Sequence, residues 1–236
     1  MKSLLSLTTA LALLGTVSLA GPVADFEAQF RDAYGTYRAV LFGTNAGKAE
    51  ESAKAIGKLQ DQFTTLMTEY REVPPPQYEA DPAWFLTLDK AAETIETAKA
   101  EIGEGRLPEA HETLEAFRDT IGDLHVRNGV LTFSDRMNAY HAEMEHLLAV
   151  DVSALDTTGI GEIRERAAVL SYLANDLLAH PPSEAAGCDE YASLSKAFGG
   201  SVDTLLTAVR SGDVEAVKGA VGGLKVPYSK LFLKFG

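Results

Sequence analysis

The sequence predicts an all-α protein made of two tandem, duplicated antiparallel four-helix bundles. Three observations predict it. Apolar residues recur at helical spacing almost everywhere, and strand-like alternation is nearly absent. Glycine and proline punctuate the chain at GTNAG (43–47), VPPPQ (73–77), GEGRLP (103–108), RNG (127–129), TTGIG (157–161), HPP (180–182) and SGD (211–213). These breaks leave eight helical segments of roughly 15–25 residues. A shift of 107 residues then brings the apolar stripes of the two halves into coincidence without a gap.

Residues 1–20 read as an export signal. Lys2 gives the positive start and LLSLTTALALLGTV the apolar run, and the small residues Ser18 and Ala20 sit at −3 and −1 of a cut before Gly21. The run is short for a bilayer span, so a periplasmic or secreted protein without a membrane span in its mature chain is expected.

Unit 1, residues 23–129, sets a pattern that unit 2, residues 130–236, repeats. Helix 1 aligns Phe26 with Phe133, Phe30 with Met137, Tyr34 with His141, Tyr37 with Met144 and Leu41 with Leu148. Helix 2 aligns Ile56 with Ile163, Phe63 with Leu170, Leu66 with Leu173 and Tyr70 with Leu177, and Pro74-Pro75 falls on Pro181-Pro182. Helix 3 aligns Trp84 with Tyr191, Ile95 with Val202, Ala98 with Leu205 and Ile102 with Val209, and it stops at Gly105 and Gly212. Helix 4 aligns Leu107 with Val214, Leu114 with Val221, Phe117 with Leu224 and Leu124 with Leu231, ending at Gly129 and Gly236. Any two amphipathic helices can be slid into agreement; four helices with their turns at one offset are a stronger signal. Four such helices with mostly short connections make an antiparallel bundle. VPPPQYEADP and HPPSEAAGCD should carry the crossings from helix 2 to helix 3.

Charge narrows the partners. The chain has 34 acidic against 21 basic residues, a net charge of −13. Nucleic acid or an anionic membrane surface would need a basic patch. A metal ion, or a protein partner meeting the acidic or inter-unit surface, fits better. Cys188 is the only cysteine, which excludes an intrachain disulfide and any single-chain metal site needing two thiolates.

The helix 4 ends carry a resemblance. Unit 2 closes on Tyr228-Ser229-Lys230-Leu231-Phe232-Leu233-Lys234-Phe235, and the matching run in unit 1 is Ile121-Gly122-Asp123-Leu124-His125. With four helices per unit and an aromatic, basic tail, this layout resembles the cytochrome c′ and cytochrome b562 superfamily. The resemblance implies the bundle fold and a haem at helix 4, attached in the c′ type by C-x-x-C-H. Here Tyr228 and Leu231 stand in place of the cysteines and Phe232 in place of the histidine, and unit 1 has the histidine alone. Covalent haem is excluded. The b562 type takes a methionine from helix 1 and a histidine from helix 4. Unit 2 offers Met137 but Phe232 and unit 1 His125 but Phe30, so haem b would have to bridge the units.

MNAYHAEMEH, residues 137–146, is the stretch richest in candidate ligands. Met137, His141 and Met144 replace Phe30, Tyr34 and Tyr37 of unit 1, which are core-stripe positions, so they should face inward. One reading is core packing: methionine fills irregular space, and a buried imidazole keeps one hydrogen bond. The other is a soft-metal site, since thioether and imidazole together suit copper as Cu(I). His125 lies only twelve residues before Met137, so a tight hairpin would bring it near, giving the candidate metal set His125, Met137, His141 and Met144. Glu143-Met144-Glu145-His146 supplies one Glu-x-x-His motif of the di-iron type, without a second. His111 and Glu115 share a face of helix 4 with His125, but too far along the axis for both histidines to hold one ion. GEGRLPE and TTGIGE match no phosphate-binding loop, and nothing ties a serine to a histidine. A non-enzymatic binding or partner-docking protein is the expectation.

Overall fold

The computed structural model describes residues 21–151 and 157–236; the leader-like residues 1–20 lie outside them. The described chain is helical, without a strand. Unit 1 holds α1 (Pro22–Asn45), α2 (Ala49–Tyr70), α3 (Trp84–Gly103) and α4 (Leu107–Arg127). Unit 2 holds α5 (Phe133–Leu148), α6 (Thr157–Ala179), α7 (Asp189–Ser211), α8 (Val214–Gly222) and α9 (Lys225–Phe235). No described helix is long and apolar enough to cross a membrane.

Local chemistry sets the helix ends. Pro22 and Pro108 open α1 and α4, where a missing N–H costs nothing. Asp213 accepts from the backbone N–H groups of Glu215 and Ala216 to cap α8. The chain leaves α3 and α7 through Gly105 and Gly212, at φ +77° and +73°, a conformation that a side chain would strain.

Each unit closes around its own core. In unit 1, α1 packs on α2 and α4, and α3 packs on α2 and α4, completing a ring. The buried residues of α1–α4 form one apolar cluster and those of α5–α9 a second, with half-buried Phe232 packed against both. The offset of 107 reaches beyond the stripes. A short 3₁₀ turn begins at Pro76 in the first crossing and at Ser183 in the second. Pairs such as Phe26 and Phe133, Ile95 and Val202, and Leu124 and Leu231 are buried on both sides of it.

The eighth segment departs from the expected continuous helix. It is broken into α8 and α9 at Gly222-Gly223-Leu224. The cause is local: two glycines weaken the helix, and Pro227 cannot donate a backbone hydrogen bond to Gly223. Unit 1 has Glu115, Ala116 and Thr120 at the matching positions, and α4 runs through without interruption.

Candidate functional site

The bundles meet along helix 1 and helix 4 of each unit, and this seam holds the polar chemistry. Its first tie is His125, at the end of α4. The His125 Nδ1–H donates to the Asp135 carboxylate, 2.9 Å from both oxygens. Asp135 also accepts from the backbone N–H and hydroxyl of Thr132, both at 2.7 Å, completing a capping box at the start of α5. Burial works against the Asp135 charge, but the bonds from His125 and Thr132 hold its carboxyl below the usual range. One carboxylate thus locks the exit of α4 to the entry of α5. Two further ties cross the seam. Asn138 Nδ2 donates to Tyr34 Oη at 3.2 Å, and Arg38 donates to the carbonyls of Leu233 and Lys234 at 3.4 and 3.3 Å.

A cavity of about 400 Å³ opens beside these ties, with walls from α1, α4, α5 and α9. Helical spacing explains what lines it. On α4, His111, Glu115 and Arg118 fall at i, i+4 and i+7; on α5, His141 and Glu145 at i and i+4; on α9, Lys225, Tyr228 and Phe232 share one side. The two histidines pair with glutamates one turn on, His111 Nε2 with Glu115 at 3.9 Å and His141 Nε2 with Glu145 at 3.3 Å. The His141 ring lies flat on Tyr228, centroids 5.2 Å apart and planes within 7°. Burial, with Arg118 next, pushes the His141 pKa below its ordinary value, against the pull of Glu145. Burial also pushes the Tyr34 hydroxyl up to about 12 and Tyr228 well above the usual tyrosine range.

The structure does not gather the four predicted metal ligands into one place. Met137 and Met144 are fully enclosed in the apolar core of unit 2, as inward-facing stripe positions should be. His141 turns to the seam cavity instead. His125 lines a separate cavity of about 260 Å³ and is committed to Asp135. Among the described residues, no three His, Cys, Asp or Glu side chains form a metal-holding group. His111 does have a hydroxyl neighbour, Thr44 Oγ1 at 3.3 Å from Nδ1, but that hydroxyl is buried and sits against the carbonyls of Val40 and Leu41. It is a helix-satisfied group and not an activated nucleophile.

The residues that sequence reading missed carry a signal in the repeat itself. Arg38 and Glu145 are related by the offset of 107, as are Arg118 and Lys225, and all four line the seam cavity. Charged residues recurring at the stripe's edge in both units mark a face that is neither core nor free surface. No protein-family model, characterised protein or solved structure matches the chain.

Proposed function

We propose that the protein is an exported binding protein, without catalytic chemistry of its own, that takes a small organic molecule into the cavity between its bundles. One observation carries this reading: both units turn charged and imidazole side chains from helices 1 and 4 into a shared, partly enclosed space. A seam that served only to glue two bundles would gain from closing with apolar groups, because enclosing charges is costly unless they are well paired. The volume of about 400 Å³ falls within the range of small-molecule sites. The leader-like residues 1–20 are what supports export.

Native mass spectrometry of the purified full chain tests the reading. A small molecule retained near one per chain is expected, and lost when Ser229→Trp fills the cavity. Retention by the variant would overturn the assignment of the site. Copper at the Met/His set has less geometric support but makes a separable claim. Saturable Cu(I) binding that vanishes in a Met137→Phe, His141→Tyr variant would restore it.

A further inference from the structure

The cavity wall also speaks to the kind of molecule held, on the condition that the cavity is the binding site proposed above. Arg118 decides it. Its side chain is only 18% exposed and, among the described residues, it makes no hydrogen bond. It is ion-paired with Glu115 Oε1 at 3.7 Å and Asp119 Oδ1 at 3.6 Å, both longer than a hydrogen bond. A guanidinium presents five donors in a flat fork suited to a carboxylate, and leaving them unmade in a largely enclosed position is expensive.

The neighbouring charges are already occupied. Arg38 is spent on the carbonyls of Leu233 and Lys234. Lys225 Nζ donates to Glu145 at 3.3 Å, and Glu145 also faces His141. The cavity therefore holds three permanent cations against two carboxylates, in a chain whose net charge is −13. A metal ion or an ammonium group would meet that excess of positive charge, and Glu145 is already engaged by Lys225 and His141. An anion would meet in Arg118 a fork whose donors Glu115 and Asp119 approach without hydrogen-bonding.

Beside the fork lies an aromatic stack. His141 rests on Tyr228, and Tyr228 stacks on Phe232 at 5.7 Å with planes within 13°. We propose that the cavity binds a small organic carboxylate with an aromatic body, the carboxylate on Arg118 and the body against His141, Tyr228 and Phe232.

A matched charge series tests this: calorimetric titration of the full chain with 4-phenylbutyrate, 4-phenylbutanamide and 4-phenylbutylamine. The acid is expected to bind at least about tenfold more tightly than the amide, with the amine weakest. Arg118→Gln should remove that advantage while leaving the amide's affinity in place. Arg118→Lys, which keeps the charge but loses the fork, should recover only part of it, and serves as the test if Arg118→Gln fails to fold. Equal binding of all three compounds, blocked by Ser229→Trp, would overturn the anion assignment and leave the cavity as the site. Preference for the amine, or an acid affinity unchanged by Arg118→Gln, would overturn it as well. Absence of saturable binding by any of the three would also overturn it, and the site itself would then rest on the retained-molecule test.

Discussion

Where unit 1 encloses Trp84 completely and lets its indole N–H donate to the Tyr70 carbonyl at 2.9 Å, unit 2 has Tyr191, partly buried, its hydroxyl enclosed without a partner among the described residues. The contrast runs through both cores. Around Trp84, Phe26 packs on Phe30, Tyr70 and Tyr78, and Tyr78 stacks on the indole. Arg127 and Asn128 both reach buried Asp81, fixing the α4 exit to the crossing before α3. Unit 2 keeps Phe133 and Tyr191 in that register, edge to face at 6.1 Å, but has Met137, Leu177 and Ala185 where unit 1 has Phe30, Tyr70 and Tyr78, and it breaks its last helix. One unit is therefore organised around an aromatic cluster at Trp84. The other trades regularity for the placement of α9, whose Leu231 and Phe235 enter the core while Lys225 and Phe232 line the seam. An uninterrupted helix holds its faces at fixed angles; the break lets α9 be aimed on its own.

The largest expected effect tests that asymmetry directly. Trp84→Ala should cost about 3–5 kcal/mol in denaturant unfolding, the range for deleting an enclosed aromatic. Tyr191→Ala should cost about 1–2 kcal/mol, because a ring that is only partly enclosed leaves a smaller void. Equal losses would remove the contrast between the cores.

Asp135→Asn comes next, at about 2–3 kcal/mol, since it weakens the capping box and leaves His125 without its charged acceptor. The pH dependence has a definite sign. The native carboxyl pKa is depressed, so its stabilisation is present above the ordinary aspartate value of about 3.9 and is lost as pH falls through the lower native value. The variant should lack that acid-side loss, which a denaturation series from pH 6 to pH 2 would reveal.

The helix break invites a change in the other direction. Gly222→Ala should stabilise the chain by about 0.5–1 kcal/mol, because a Cβ there meets nothing within 4 Å and alanine favours the helix. A fall in the thermal midpoint would mean that the glycine is needed for the geometry of α9.

The smallest effect belongs to His141. Its native pKa is lowered, so the unfolded chain takes up the proton more readily. The neutral ring's contribution is intact above the ordinary histidine value of about 6.5 and drains away as pH falls below it. His141→Gln should flatten the stability profile between pH 7 and pH 5.

Much of the fold was legible in the sequence because periodicity and punctuation are local. The stripes, the crossings and the offset all follow from helical spacing and from where glycine and proline fall. The break between α8 and α9 was written in Gly222-Gly223 and Pro227, yet Val221, Leu224 and Leu231 keep the apolar stripe running through it, and the stripe masked the stop. The site was half legible. Met137 and Met144 are core, as their positions required. His141, counted with them, belongs to the seam. On sequence, His111 and Glu115 fall on one face of helix 4 without a partner, and Arg118 does not stand out, because nothing within one helix tells an outer face from a face turned toward a second bundle. Only comparison between the repeats separates the two.

Hydrogen–deuterium exchange of the full chain, with and without saturating 4-phenylbutyrate, tests the central claim most directly. Slowed exchange is expected in four stretches from both bundles, residues 38–45, 111–118, 141–145 and 225–233, with little change along α3 and α7. Protection confined to one bundle, or none at a concentration that saturates binding, would contradict a site shared across the seam.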